Sequence, residues 1–541
     1  MDLINYEDYN DRKKTGFSRF TYPLYLVLAF LLGMMIAVWL LSSKLVRIRH
    51  DSSDKFNEVL TYLERMYVDS VNTNELTEMA ISSMLQQLDP HSTYANAQEN
   101  KEVMESLDGA FEGVGIQFSL MNDTVMVIAT ISGGPSAKVG IQAGDRIVTV
   151  NDSVIAGVNI QNEDVMHLLR GKKNSKVKVG IKRPGFDKLY HYEITRDKIP
   201  TYTVDVSYMI DQQTGYVKIN QFGKNTGKEF AEALVKLNGK GMRKLILDLR
   251  GNPGGYLESC IEVCDELLSK GEMIVYTEGL HIPTDKVRAT SYGHFEQGTL
   301  VVLIDDFSAS ASEIVAGAVQ DNDRGTVIGR RSFGKGLVQQ QIDFSDKSSM
   351  RLTVARYHTP SGRCIQKTYE KGTDAYNFEL YDRFLHGEMD SRDSIKENKN
   401  LIYKTKMGRT VYGGGGIMPD IFVPLDRDSL LTDCYELLNS GKLYPFAFHY
   451  VTENKKSLQQ HYPDAESFVK NMKITDQVMQ QFWNFHQKEN KKQKPVLSPE
   501  SEKELKLWLK ALIGRDLYQD EAFYPVINLS DKTIQEAIKI K

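Results

Sequence analysis

Two strand–turn–helix units near the middle of the chain constrain the fold most strongly. The first joins the apolar run Met242–Leu249 to the glycine-rich loop Arg250–Gly255, after which apolar residues recur at helical spacing from Leu257 onward. The second joins the apolar run Thr299–Ile304 through a short loop to a helix predicted over Ala311–Val319. Strands that are each followed by a helix are typical of an α/β domain, and they bring two helix N-termini to one edge of a sheet. The sequence therefore predicts an α/β core with a crevice at that edge.

The second unit and the segment after it supply a candidate nucleophile and a candidate base. Ser310 begins the predicted helix, and Lys335 lies between two glycines farther along the chain. A serine hydroxyl needs an adjacent base, and a lysine serves as one only when burial lowers its pKa from about 10.4 toward about 7 or 8. The pair therefore indicates a serine/lysine hydrolase. Two alternatives stay open at this point, because Ser310 and Glu313 also match a helix capping box and a Gly-Lys-Gly sequence also fits a solvated turn.

Other kinds of chemistry have weaker signals. Ser310 lacks the Gly-x-Ser-x-Gly surroundings of an α/β-hydrolase, and none of the eleven histidines lies in a His-Glu-x-x-His zinc motif. We predict that the four cysteines are free thiols and expect neither a metal nor a cofactor. A net charge of −4 gives no reason to expect nucleic-acid binding.

Seven segments together resemble the C-terminal processing peptidases, also called tail-specific proteases, which use a serine/lysine dyad. They occur in the order found in that family and are spread over roughly residues 50–430. The segments are Leu88–Tyr94, Gly113–Ile116, Asp248–Gly255, Ser308–Ile314, Phe333–Gln339, Tyr357–Arg363 and Ile417–Asp420.

The resemblance implies a crotonase-like α/β protease core and assigns roles to several side chains. Ser310 is then the nucleophile, Lys335 the general base, and Gln339 the residue that orients the lysine. Ser308 and Ser312 are supporting residues. Neutral lysine would take the serine proton during attack on a peptide carbonyl and return it to the leaving amine, with an acyl-enzyme as intermediate.

The same resemblance implies an oxyanion hole made of backbone N–H groups. One donor is the N–H of Ala311, and the other comes from the glycine loop, where Gly254 is favoured and Gly255 is the second choice. Donors of this kind typically contribute about 3 kcal/mol each to the stabilisation of the transition state.

Residues 101–198 look like a PDZ domain. In such a domain a glycine loop presents N–H groups to a free carboxylate, and the edge of the next strand pairs with an extended peptide. Gly115, Ile116 and Phe118 are therefore the candidate peptide-binding residues, and the expected partners are proteins with apolar, free C-termini. The alternative for these three residues is a glycine turn followed by ordinary core positions.

The N-terminal region carries a candidate membrane anchor. Leu24–Leu41 is an uncharged run of eighteen residues that follows a basic segment and has no Ala-x-Ala cleavage site after it. We predict a single-pass anchor over residues 21–43 in contact with membrane lipid, with residues 1–20 cytoplasmic. The predicted location is the inner membrane with a periplasmic catalytic part, and a cleaved signal peptide is the alternative.

The remaining boundaries follow from composition and from the family motifs. We expect a helical region over residues 44–100, including two helices between Asp54 and Leu88, a protease core over 199–430, and a helical extension over 431–541. The whole chain is then predicted to be a multidomain, membrane-anchored serine endopeptidase, and it could form a homo-oligomer. Two alternatives remain: a PDZ adaptor without proteolysis, and a hydrolase of a non-peptide acyl substrate.

Overall fold

The computed structural model describes residues 25–36, 53–131, 133–183, 186, 188–290, 293–425, 434, 437–438, 441–490 and 497–541. The chain divides into two compact units, Met1–Ala80 and Ile81–Lys541. The first unit contains helix α1 over residues 25–36, helix α2 (Ser53–Met66) and the start of helix α3 (Thr73–Gln86). The two helices expected between Asp54 and Leu88 are therefore confirmed.

The predicted membrane anchor is wrong. Helix α1 covers only residues 25–36 of the predicted 21–43 span, and the rest of that span, like residues 1–20, lies outside the described residues. No helix within the described ranges is long and apolar enough to cross a membrane. The inner-membrane location, the periplasmic placement and the lipid contact rested on this helix and are not retained.

The second unit begins with an antiparallel β domain that corresponds to the predicted PDZ region. Its sheet has the order β3-β4-β5-β7-β8, with β6 added to β5, so that β3 is an edge strand. A separate two-stranded ribbon, β2 with β9, joins the points where the chain enters and leaves the domain. The helix α6 covers one face of the sheet, and Val165 and Leu169 on it enter a shared apolar core.

The elements up to the end of this domain follow one another in a mixed order of strands and short helices. They are the strand β1 (Thr93–Ala95), the helix α4 (Ala97–Leu107), the strands β2 (Ala110–Gly113), β3 (Ile116–Leu120) and β4 (Val125–Thr130), the helix α5 (Pro135–Lys138), the strands β5 (Arg146–Val150) and β6 (Ser153–Val154), the helix α6 (Asn162–Leu169), and the strands β7 (Lys176–Lys182), β8 (Leu189–Thr195) and β9 (Asp197–Pro200).

The centre of the second unit is the predicted α/β core. A six-stranded sheet has the order β10-β11-β12-β15-β16-β21, in which β10 is antiparallel and the remaining neighbours are parallel. Because side chains alternate along a strand, Leu245 and Leu247 of β12 pack against helices α7, α8 and α9 on one face, whereas Ile246 packs toward a C-terminal helix on the other. The α/β core is confirmed, and its crotonase-like character stays a prediction.

A second, five-stranded sheet lies beside this core in the chain's second unit. Its order is β1-β18-β13-β14, and β17 pairs with β18. The elements of the two sheets are the strands β10 (Val204–Met209), β11 (Thr214–Ile219), β12 (Lys244–Asp248), β13 (Met273–Glu278), β14 (Asp285–Arg288), β15 (Thr299–Ile304), β16 (Thr326–Gly329), β17 (Leu337–Asp343), β18 (Ser349–His358) and β21 (Ile421–Phe422), with the helices α7 (Thr226–Gly239), α8 (Leu257–Asp265) and α9 (Ala311–Asp321).

The remaining elements form an inserted segment and a helical C-terminal region. The segment follows β18 and contains α10 (Thr373–Leu385), a 3-10 turn (Arg392–Ser394) and the hairpin β19 (Ile402–Lys404) with β20 (Thr410–Tyr412). The C-terminal region has its own apolar clusters, which confirms the expected helical extension. Its helices are α11 (Leu443–His461), α12 (Ala465–Asn471), α13 (Asp476–Asn490), α14 (Pro499–Tyr518), α15 (Asp520–Ile527) and α16 (Lys532–Lys539). The four cysteines are free, as predicted.

A buried ion pair connects the end of α9 with the turn after β18. An Arg363 Nη donates to Asp321 Oδ1 at 2.7 Å, and both side chains are fully buried. Removing one partner of such a pair leaves an uncompensated buried charge, which typically costs about 3–5 kcal/mol. We therefore predict that Asp321→Asn lowers the free energy of unfolding by about that amount in a denaturant titration. The exposed Asp285→Asn is the control, and equal midpoints for the two variants would contradict the prediction.

Candidate active site

Ser310 lies at the turn between β15 and α9. Its backbone φ is +54°, a left-handed conformation that residues other than glycine seldom adopt. Strain of this kind costs about 1–3 kcal/mol and persists only where neighbouring contacts enforce it. Here the Ala309 N–H donates to the carbonyl of Asn252 at 3.0 Å, and the carboxylate of Glu313 accepts from the Ser310 N–H at 2.9 Å. These contacts fix the backbone from which the Ser310 side chain projects.

The glycine loop packs directly against this turn. A Cβ atom on Gly254, whose φ is +100°, would lie 2.8 Å from the Cβ of Ser310. A Cβ atom on Gly255 would lie 2.1 Å from the carbonyl oxygen of Phe222. Any larger residue at either position would therefore displace the loop or the serine turn.

The neighbouring serines tie the two loops together. The hydroxyl of Ser308 donates to the carbonyl of Leu249 at 2.8 Å, and that of Ser312 donates to the carbonyl of Asn252 at 3.0 Å. Both serines are fully buried. Their hydroxyl groups are therefore committed to holding the strand-to-helix turns.

The three N–H groups predicted for an oxyanion hole differ in their surroundings. Ala311 is the first residue of α9, so its N–H has no acceptor within the helix. The Gly254 N–H donates to Asn252 Oδ1 at 2.9 Å and is therefore occupied. The peptide groups before and after Gly255 both form hydrogen bonds with the backbone of Phe222. The N–H of Gly255 therefore points away from Phe222. This arrangement favours Gly255 over Gly254 as the second donor.

Lys335 lies in the loop between β16 and β17 and is partly buried. Burial is the main cause that lowers its pKa below the usual 10.5, and the positive charge of Arg351 lowers it further. The carboxylates of Glu313 and Asp89 act in the opposite direction. A lowered pKa favours the neutral amine, which is the form of lysine that a general base requires.

Glu313 joins the serine turn to the lysine loop. Its carboxylate is fully buried and accepts from the N–H groups of Ser310 at 2.9 Å, Gly334 at 2.7 Å and Lys335 at 2.8 Å. It also accepts from the hydroxyl of Ser332. Burial raises the pKa of Glu313 to about 7, and these hydrogen bonds oppose the rise. The glutamate half of the predicted capping box is therefore present, and the same group also holds the lysine loop.

Tyr357 provides a second link between the two loops. Its buried hydroxyl lies 2.5 Å from the carbonyl oxygen of Lys335 and 3.2 Å from that of Ser310. Ser310 and Lys335 line the same cleft, and within the described residues no hydrogen bond joins Ser310 Oγ to Lys335 Nζ. No role was predicted for Tyr357, although it lies within one of the family motifs, and only a capping role was predicted for Glu313.

Gln339 lies on β17, near the carboxylate of Asp89. Its Nε2 is 3.4 Å from Thr353 Oγ1, which in turn donates to Asp89 Oδ1 at 3.1 Å. Ser92 also donates to this carboxylate, at 2.6 Å. The motif Leu88–Tyr94 therefore brings a negative charge toward the lysine, a contribution that was not predicted from the sequence.

All six residues predicted for the protease site line one cleft of about 650 Å³. Apolar side chains from α4, α8, α9 and β17 supply part of its wall, namely Leu107, Leu257, Ile314 and Leu337. The predicted residues are Ser310, Lys335, Gln339, Ala311, Gly254 and Gly255. The cleft therefore combines a serine, a lysine of lowered pKa and backbone N–H groups beside an apolar surface, which is the arrangement that acyl transfer to serine needs.

The three residues predicted for peptide binding lie at the start of the PDZ-like sheet. Gly115 has φ +71°, and a Cβ atom there would lie 3.0 Å from Ile199 Cδ1, so only glycine fits. Ile116 and Phe118 are partly buried against the domain core. Both belong to β3, whose outer edge has no neighbouring strand in the described sheet. That edge has the backbone geometry required for pairing with an extended peptide.

The fold and the cleft together define a class of protein: a serine protease core that follows a peptide-binding β domain. Within the described residues, no cluster of three or more histidine, cysteine, aspartate or glutamate side chains is arranged to hold a metal ion.

Comparison with known proteins identifies the family. The chain matches the model of peptidase family S41 over residues 213–374 and a PDZ domain model over 113–193. The chain belongs to the carboxy-terminal processing proteases and is a serine-type endopeptidase. Membership in this protease family supports neither of the two alternatives, a PDZ adaptor without proteolysis or a hydrolase of a non-peptide acyl substrate. A family of unknown function, DUF8443, matches residues 434–519, which lie in the helical C-terminal region.

Curated relatives match more than half of this chain. The carboxy-terminal processing protease CtpB of Bacillus subtilis is 35% identical over 65% of this chain and 73% of its own length. The carboxy-terminal-processing protease of Bartonella bacilliformis is 37% identical over 58% of this chain and 72% of its own length. A solved structure, the photosystem II D1 C-terminal processing protease, is 28% identical with a TM-score of 0.35, and the alignment covers 70% of this chain and 89% of that one.

The Glu313 contacts lead to a prediction for Glu313→Gln. Glutamine keeps the shape but replaces one acceptor oxygen by an NH2 group, which must face donors that the carboxylate now accepts from. Leaving buried donors unsatisfied typically costs about 1–3 kcal/mol each. We therefore expect lower thermal stability and a kcat reduced by about tenfold or more, because both loops lose their common anchor. The exposed Glu232→Gln on α7 is the control. Unchanged kcat and Tm in Glu313→Gln would contradict this prediction.

Proposed function

We propose that this protein cleaves polypeptides with a Ser310/Lys335 dyad after its PDZ domain has bound their C-termini. The observation that carries the proposal is the meeting of the strained Ser310 turn and a lysine of lowered pKa in one cleft. The proposed limits are residues 101–198 for the PDZ domain and 199–430 for the protease core, and the β2–β9 ribbon lies at the boundary between the two.

In the proposed reaction, neutral Lys335 removes the proton of Ser310 as its oxygen attacks the substrate carbonyl. The oxyanion is stabilised by the N–H groups of Ala311 and of the glycine loop, for which Gly255 is better supported than Gly254. Protonated lysine then donates to the leaving amine, and water repeats the cycle on the acyl-enzyme. Gln339, which lines the same cleft, is proposed to orient the lysine, and the Asp89 carboxylate favours the charged form of the lysine.

The substrates proposed are protein chains with free, apolar C-termini. Support comes from the open edge of β3 and from the partly buried Ile116 and Phe118 beside it. Pairing with a strand edge reads the peptide backbone, and apolar positions next to it accept alternate side chains. Gly115 supports this site by its tight backbone packing. A homo-oligomer stays a prediction.

The dyad is tested by Ser310→Ala and Lys335→Ala. Each should abolish cleavage of a peptide substrate without changing thermal stability by more than a few degrees, because neither side chain anchors the fold. The exposed Lys286→Ala on β14 is the control for loss of a lysine.

Wild-type activity should fall as the pH is lowered through the pKa of Lys335, since protonation removes the base, and this acidic limb should lie below pH 10.5. Turnover by either active-site variant, or a limb at the usual lysine pKa, would refute the dyad.

C-terminal recognition is tested with one peptide in two forms, with a free C-terminal carboxylate and with an amide. We expect the amide to bind more weakly and to be cleaved at a lower kcat/KM, because the negative charge is lost. Binding is measured by calorimetry with the Ser310→Ala protein, so that the peptide stays intact. Equal binding and equal cleavage of the two forms would show that the PDZ domain does not recognise free C-termini.

A further inference from the structure

The inserted segment after β18 sends one arginine into the lysine loop. Arg383, on α10, is 4% exposed. Its Nη1 donates to the carbonyl of Ser332 at 2.8 Å, and its Nη2 donates to the carbonyl of Phe333 at 3.1 Å. These two carbonyls belong to consecutive residues that lie just before Lys335. One planar guanidinium therefore binds both carbonyls of the segment that leads to the proposed base.

Glu379 holds this arginine in place from the preceding turn of α10. Its Oε1 accepts from Arg383 Nε at 2.6 Å, and its Oε2 accepts from Lys367 Nζ at 2.8 Å. Lys367 Nζ also lies 4.0 Å from the centre of the Phe333 ring. Arg331, at the start of the loop, lies 3.5 Å from Glu379 and 2.6 Å from Glu388. The segment therefore contacts the lysine loop through an ion-pair network that is largely buried.

Other contacts hold the same loop from the core. The carboxylate of Glu313 accepts from the N–H groups of Gly334 and Lys335, and Tyr357 contacts the Lys335 carbonyl. Arg383 adds contacts of the opposite kind, because it donates hydrogen bonds to carbonyl groups of the loop. These carbonyls, of Ser332 and Phe333, precede those N–H groups in the chain. Without it, two buried carbonyls of the loop would lose their charged donors.

We propose that Arg383, anchored by Glu379, is a positioning residue that fixes the lysine loop and thereby the place of Lys335 in the cleft. The inference rests on the proposed role of Lys335 as the base. Arg383 does not touch the cleft itself, and it acts through the backbone of the loop. The inserted segment is then part of the catalytic apparatus, although α10 lies almost wholly beyond the matched peptidase region, which ends at residue 374.

The charged groups around Lys335 show whether Arg383 acts on the lysine through position or through a direct electrostatic effect. They are Arg351 on β18, Glu313 on α9, and Asp89 with His91 before β1. Arg383 is not among the groups that shift the pKa of Lys335. Burial is the main cause of the low pKa, so a loop that moves and admits water should raise it. Activity would then require a higher pH.

The test compares Arg383→Met and Arg383→Lys with the control Arg392→Met, in the full chain. Arg392 lies in the same segment but is 54% exposed and makes one ion pair, at 4.0 Å. We expect Arg383→Met to lower kcat by about ten- to a hundredfold, as small misplacements of catalytic groups do. We also expect its acidic limb to move up by about half a pH unit or more. A lysine side chain lacks the planar, forked donors that can bind two carbonyls at once. The kcat and the acidic limb of Arg383→Lys should therefore lie between those of the wild type and of Arg383→Met. Arg392→Met should match the wild type.

Each outcome decides between distinct interpretations. A wild-type kcat in Arg383→Met overturns the inference, and so does a lowered kcat with an unmoved acidic limb, which would mean that the arginine only stabilises the fold. Where Arg383→Met does not fold, the limb position of Arg383→Lys decides by the same criterion. Activity in Lys335→Ala would instead refute the proposed dyad and leave the Arg383 contacts without a base to position.

Discussion

The catalytic part of this structure depends on the buried carboxylate of Glu313. One side chain accepts hydrogen bonds from the N–H of Ser310 and from the N–H groups of Gly334 and Lys335, so the loops that follow two neighbouring strands, β15 and β16, share one acceptor. A carboxylate can accept several bonds at once, which no neutral side chain of this size matches. Burial raises its pKa to about 7, and the surrounding donors oppose that rise. The same group therefore sets both geometry and local charge.

The lysine loop is the point where the core, the second sheet and the inserted segment meet. The core supplies Glu313, β18 supplies Tyr357, and α10 supplies Arg383. Each of these residues binds backbone rather than the lysine amine, which leaves the amine available for proton transfer. A lysine base needs burial more than it needs hydrogen-bond partners, because burial is what disfavours its charged form.

Several features of the site were predictable because they depend on local sequence. The strand-to-helix turns that carry Ser310 and the glycine loop follow from apolar runs bounded by turn residues, and the PDZ domain was identified by the resemblance of residues 101–198 to such domains. The membrane anchor was predicted from hydrophobicity and length, and it is wrong because no helix within the described residues is long and apolar enough to cross a membrane.

The sequence by itself determined the two strand-to-helix units of the core, the serine and lysine of the proposed dyad, and the protease family. Only the tertiary structure decided which groups surround them. Asp89 and Arg383 lie far from Lys335 in the chain; Asp89 belongs to a family motif that was given no role near the lysine, and Arg383 belongs to none of the motifs. The choice between Gly254 and Gly255 was also structural, since it depends on where Asn252 and Phe222 direct their hydrogen bonds. Local patterns fix elements because neighbouring residues share a backbone, but the groups that tune a charge come together only when the elements pack.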